Sequence, residues 1–159
     1  MDSVFLPTLA RLIRTQRIAA FGTLRDGGPL VSMILYAAAN DFAAFYIHAS
    51  RLAQHTQDML KDPRVSLMIA ETDTGSQDPQ TLARVSIRGE AVVVPPTADD
   101  YEDVKSIYLQ KFPEAAFNFT LGDFAMYKIE PRTARFVAGF GKIFNLTLDD
   151  FKQAAAHNG

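Results

Sequence analysis

Cysteine and tryptophan are both absent from this 159-residue chain. Without cysteine there is no disulfide framework and no thiolate for a metal or redox centre. Neither sign of charge is in excess: 16 Lys and Arg stand against 18 Asp and Glu, a formal net charge of −2. A chain so nearly balanced has no bulk field with which to hold a nucleic acid. No apolar run approaches the ~20 residues that cross a bilayer, so no membrane partner is expected. Histidine is scarce as well, with three residues and no spacing that suits a metal. With no secretory leader in Met1-Asp2-Ser3 the expected setting is cytoplasmic. The expected organisation is one domain over residues 1–159, its core about 8–145 and a C-terminal helix about 147–157, long enough to bury a core of its own.

What is present is punctuated apolar sequence. Val4, Phe5, Leu9, Leu12 and Ile13 recur at helical steps, with Asp2 or Ser3 as cap and Pro7 tolerated near the start. Strands are then expected at Ile18 to Leu24, Val31 to Ala38 and Phe42 to His48. Arg25-Asp26-Gly27-Gly28 and Asn40-Asp41 form the turns between them. Few of these runs alternate cleanly, which predicts that both their faces are covered, as in a small barrel or a dimer interface; Met33-Ile34-Leu35-Tyr36 suits a partner's face. A helix from Ser50 to Leu60, N-capped by Ser50, is followed by a strand from Val65 to Ala70 and a polar loop over 71–80. A long strand, Leu82 to Val94, bends at Gly89. Thr97 and Asp100 then read as a capping box for a helix through Phe112. Two strands, Phe124 to Ile129 and Arg135 to Ala138, and a weak helix at Leu148 to Ala156 complete the chain. Strands and helices in no βαβ rhythm predict a mainly β (α+β) fold, an antiparallel six- to seven-stranded barrel with peripheral helices.

The stretch His48-Ala49-Ser50-Arg51-Leu52-Ala53-Gln54-His55-Thr56 carries the most chemistry. A hydroxyl and a guanidinium where a strand gives way to a helix suit a phosphate, with His55 and Thr56 one turn on. An ordinary helix start has the same residues. Arg84, Ser86 and Arg88 share one strand face, which is either solvated or the wall of a site for an anion. Gly139-Phe140-Gly141-Lys142 reads as a tight turn that offers Phe140 as a stacking surface. No nucleophile–base arrangement stands out, so an enzyme built on this chain would rely on a cofactor.

Three segments also carry a resemblance: Gly28-Pro29-Leu30-Val31-Ser32-Met33-Ile34-Leu35-Tyr36-Ala37, Phe45-Tyr46-Ile47-His48 running on through Thr56, and Asp62-Pro63-Arg64. Together with Leu82 to Gly89 and Arg135 to Gly141, they resemble the pyridoxamine 5'-phosphate oxidase-like FMN-binding split barrels. The similarity covers roughly residues 8 to 145 and is closer still to the branch related to haem-utilisation proteins, which shares the Ser-Arg-Leu-Ala-Gln-His-Thr run. The resemblance implies a homodimeric split barrel with FMN at the subunit interface. Ser50, Arg51 and Thr56 would hold the flavin phosphate, with His48 and His55 nearby. Ser32, Met33, Ile34 and Leu35 would run along the isoalloxazine, Arg84 would supply a polar contact, and Phe140 and Lys142 would close the site from the partner chain.

The sequence departs from the oxidase pattern at Ser32, Ala37 and Leu52, where basic residues are usual, and at Ile143-Phe144-Asn145-Leu146. Pyridoxamine phosphate oxidation is therefore not expected. The leading expectation is an FMN-dependent oxidoreductase with a small-molecule electron donor or acceptor; a deazaflavin would serve equally. The alternative is a haem-binding protein on the same barrel, with His48 or His55 as ligand; the longer haem-utilisation proteins carry a second, C-terminal domain for which this chain is too short, which weighs against haem degradation. A cofactor-free dimeric binding module is the third reading.

Overall fold

The computed structural model describes residues 1–157. A 3₁₀ turn, Ser3–Phe5, is capped by the Asp2 carboxylate, which accepts from the Val4 N–H at 3.2 Å. It leads into helix α1, Leu6–Thr15, where Pro7 occupies the first turn and so removes no intrahelical hydrogen bond. Strands β1, Ile18–Arg25, and β2, Gly28–Leu35, form a hairpin around Asp26-Gly27, both with positive φ. After one residue, Tyr36, comes the short β3, Ala37–Ala38, and then β4, Phe45–Ser50.

Helix α2 spans Gln54–Lys61, and β5, Arg64–Ala70, returns antiparallel to β1. Strand β6, Arg84–Val94, follows the polar loop; α3, Tyr101–Lys111, and a 3₁₀ stretch, Pro113–Thr120, precede β7, Phe124–Gly139. Strand β8, Lys142–Leu146, and α4, Leu148–Ala155, end the fold.

The eight strands form one antiparallel sheet in the order β2-β1-β5-β6-β7-β4-β3, with β8 added to β7. The two ends of that order, β2 and β3, are joined through Tyr36 alone, so the sheet must wrap round on itself. Tyr36 is fully buried at this seam and donates its hydroxyl proton to the Ile13 carbonyl of α1 at 2.8 Å. The result is an α+β split barrel, antiparallel and not closed. Phe21, Phe45, Leu67, Val85, Ile87 and Phe136 fill its interior, with α1 and α4 packed at one end. A smaller core of Tyr46, Val104, Tyr108, Phe112 and Met126 lies beneath α3.

Several local expectations change. Ser50 ends β4, and α2 begins only at Gln54, with Ala53 as its N-cap and no side-chain cap. Asp100 precedes α3 without capping it through its side chain, so the Thr97–Asp100 box does not form. A capping box does form at α4, between Thr147 and Asp150. The two strands expected around Glu130-Pro131 are one 16-residue strand, β7. Pro131 is tolerated inside it because it pairs with Gly89, where the β6–β7 register shifts at a bulge. Including β3 and β8, the sheet has eight strands rather than six or seven.

Candidate functional site

Burial along β2 alternates strictly, which decides where its side chains go. Ser32 and Ile34 face inward opposite Phe21 and Ala19 of β1; Val31, Met33 and Leu35 face outward, with Val31 69% and Met33 62% exposed. Of the two expected causes, cover within the chain does not account for the outer face of β2. Only β4 is covered on both faces, whereas β2 carries apolar residues on a face that lies open. Ile18 of β1 and Met68 of β5 extend this open apolar surface. A groove of about 570 Å³ runs along it, lined by Ile18, Val31, Met33 and Met68 and floored by the small Ala20.

Strand pairing continues the same outer face across the sheet. Met33 sits opposite Ala20, Ala20 opposite Met68, Met68 opposite Ser86, Ser86 opposite Arg135 and Arg135 opposite Asn145. Arg84 and Arg88 flank Ser86 on the same face, opposite Val137 and Thr133. Arg135 is thus the diagonal neighbour of both, at a spacing of about 7–8 Å between backbones. Among the described residues none of these three arginines is ion-paired. Arg84 is half-buried and donates to the Leu82 carbonyl at 3.0 Å. The outer face therefore joins an apolar bed to three unpaired cations. Phe140, 72% exposed, stands at the β7–β8 turn at the far end of this face, with Lys142 opening β8 beside it. Gly139 and Gly141, both with positive φ, make that turn.

The Ser50–Arg51 stretch lies elsewhere and is internally engaged. Ser50 donates its hydroxyl proton to the Asp123 carboxylate and accepts from the Leu52 N–H at 3.1 Å. The Arg51 N–H donates to the Asp123 carbonyl at 2.7 Å, and its guanidinium donates to the Gly122 carbonyl at 2.5 Å. On α2, Thr56 is fully buried and its Oγ1 has no hydrogen-bond partner among the described residues; the same holds for the buried Ser32 Oγ. Asp58, buried on the same helix, binds Arg25 at 3.0 Å and Thr23 at 3.3 Å. His55 is half-buried with its ring edge-on to Phe21, and that burial lowers its pKa against the opposing pull of Asp58.

His48 is buried with its ring stacked on Phe119 at 3.8 Å and flanked by Tyr108 and Phe124. Burial, helped by the Lys105 charge, pushes its pKa from 6.5 down to about 4. The unfolded chain takes up this proton near pH 6.5 and the folded chain only near pH 4. Stability is therefore full above pH 6.5 and falls as pH drops through that window, by at most about 3 kcal/mol. His48→Phe keeps the stack and removes the titration, so its denaturation midpoint should fall less between pH 6.5 and 4.5 than that of the wild type. Parallel curves would show that His48 does not carry this dependence.

Of the residues singled out in the sequence, Met33, Leu35 and Arg84 come together on the outer face, with Phe140 and Lys142 at its end. Ser50, Arg51, His55 and Thr56 cluster at the other end of β4 and on α2, and Ser32, Ile34 and His48 face inward or are packed. Arg135, Met68 and Asp123 were not singled out. Arg135 and Met68 are marked only by strand phase and pairing, and Asp123 reaches Ser50 through the β4–β7 register.

The pyridoxamine 5'-phosphate oxidase family pattern matches residues 5–138. The chain belongs to that family. Within it, the chain is 36% identical to the chloroplastic heme oxygenase HOZ of Arabidopsis thaliana over 129 residues, which are 80% of this chain and 37% of that protein. It is 24% identical to heme oxygenase HutZ of Vibrio cholerae over 107 residues, 67% of this chain and 61% of the relative. Among solved structures, a heme binding protein from Mycobacterium smegmatis superposes with a TM-score of 0.80 at 25% identity, covering 92% of this chain and 60% of that one. This member of the oxidase family thus spans from about a third to three-fifths of the length of these relatives. No described helix is long and apolar enough to cross a membrane.

Proposed function

We propose that this chain is a haem-binding protein of the oxidase family that takes haem against the outer face of its sheet, between two copies of itself. The observation that carries this reading is the junction, on one face, of an apolar bed with three unpaired arginines. Haem is a flat apolar macrocycle with two carboxylates on one edge. Met33, Met68, Ile18 and Val31 suit the macrocycle, and Arg84, Arg88 and Arg135 suit the carboxylates. A second copy supplies the cover that an open apolar face lacks, since edge strand β2 and its outward side chains are otherwise left to water. The names of the relatives agree: two are heme oxygenases and one a heme binding protein.

Bound haem would supply iron redox and dioxygen chemistry. The chain's own part is to bind and orient: arginines fix the carboxylate edge, the apolar bed excludes water, and the partner's matching face completes the enclosure. The outer face holds no histidine among the described residues, so this reading places no iron ligation on His48 or His55. Both His48→Ala and His55→Ala should then take up haem as the wild type does.

The test is a haem titration followed in the Soret band. Arg84→Ala/Arg135→Ala removes two charge-assisted contacts, each worth ~1.5 kcal/mol or more, and should weaken haem uptake by tenfold or more at low salt. Unchanged affinity in that double variant would remove the face from consideration.

A further inference from the structure

The Ser50–Arg51 pair has the donors a phosphate needs, yet the chain already engages the Ser50 hydroxyl proton and the Arg51 N–H and draws the Arg51 guanidinium to a backbone carbonyl. The Ser50 hydroxyl is bound to the Asp123 carboxylate, the Arg51 N–H to the Asp123 carbonyl and the Arg51 guanidinium to the Gly122 carbonyl. This arrangement is anchored in the sheet: Ser50 is the last residue of β4 and pairs with Phe124, the first of β7, so residue 123 necessarily stands beside residues 50 and 51. A carboxylate placed there is an anion of this chain's own making, and it would meet an incoming phosphate with like charge as well as with a Ser50 hydroxyl already engaged.

We infer that Asp123 is an internal anion that closes the Ser50–Arg51 site to phosphate monoesters and makes this chain select against phosphorylated flavins. Asp123 is then a specificity residue. It sets apart a split barrel that carries the Ser-Arg pair from one that uses it to hold FMN. The inference stands on the hydrogen bonds at residues 50–52 and 122–123, and not on the haem reading of the outer face.

FMN and riboflavin differ only in the phosphate, so their affinity ratio reads this site directly. The experiment titrates each flavin, by its fluorescence, into the full chain, Asp123→Ala and Asp123→Asn. The wild type should bind FMN no tighter than riboflavin. Asp123→Ala frees the Ser50 hydroxyl and removes the carboxylate beside Arg51, and should bind FMN about tenfold or more tighter than riboflavin. Adding Arg51→Ala should abolish that preference. Asp123→Asn keeps an acceptor for Ser50 while removing the charge, so it preserves the turn and should move the ratio in the same direction should the alanine variant fail to fold.

A wild type that prefers FMN tenfold, with the preference lost in Arg51→Ala, would overturn the inference. So would Asp123 variants, folded by circular dichroism, that gain no preference for FMN. Haem affinity measured in parallel should be unmoved by the Asp123 substitutions; a tenfold fall would assign the turn to haem binding and overturn the gating role. Failure of the wild type to bind haem would leave the flavin ratio intact and would count against the haem reading alone.

Discussion

Met33→Asp is expected to abolish both self-association and haem uptake while leaving the fold in place. In the single chain Met33 is 62% exposed, so a carboxylate there meets water and costs the folded protomer little. Between two copies the same position lies in the middle of the outer apolar face, flanked by Val31 and Leu35 along β2 and near Met68 across the sheet. Burying an unpaired carboxylate in such a setting costs several kcal/mol, and it would also repel the carboxylates of haem. The variant should sediment as a monomer at micromolar concentration, lose haem affinity by at least about 100-fold and keep its thermal midpoint within a few degrees. Met33→Leu should behave as the wild type. A Met33→Asp protein that still sediments as the wild type does would show that this face is not the one that associates.

The second large effect is on stability. Gly89→Ala should destabilise the protein by ~3 kcal/mol, toward the upper end for overpacking, and lower the thermal midpoint by roughly 6–12 °C. A Cβ built at Gly89 lies 2.4 Å from the Glu130 carbonyl oxygen and 3.1 Å from the Ile129 side chain. The first neighbour is backbone and cannot rotate away. It belongs to the bulge where the β6–β7 register shifts to accommodate Pro131. Relief would have to come from separating the two longest strands of the sheet. Gly27→Ala, in contrast, meets no atom within 4 Å and is strained only by its φ of +80°, so its cost should be smaller. A Gly89→Ala protein that melts with the wild type would refute the close approach.

Much of this fold was legible because local signals and tertiary demands agree. Arg25 to Gly28 spell a hairpin turn, and Pro7 stands where a helix tolerates it. Disagreement begins where a neighbour decides. Glu130-Pro131 reads as a break, yet the strand runs through it because Gly89 on the facing strand leaves room for the bulge. Ser50 reads as a helix cap, yet Asp123, far along the chain, recruits its hydroxyl into the β4–β7 pairing. The candidate site divides in the same way. Arg84 and Arg88 were visible as one face from their spacing. Whether that face was solvent or a site depended on Arg135 and on the apolar residues of β2 lying in the same rows, which only register reveals. The missing alternation in β2 was the sequence's trace of the apolar part of that surface, and of its two expected causes it marks a face not covered within the chain.

Sedimentation velocity of the wild-type chain mixed with substoichiometric haem, recorded both in the protein band and in the Soret band, shows whether haem is held between two copies. The Soret absorbance should move with a species of twice the protomer mass, and Arg84→Ala/Arg135→Ala should shift it toward the free-haem boundary. Soret absorbance that travels with a monomer, or that never joins the protein boundary, would contradict it.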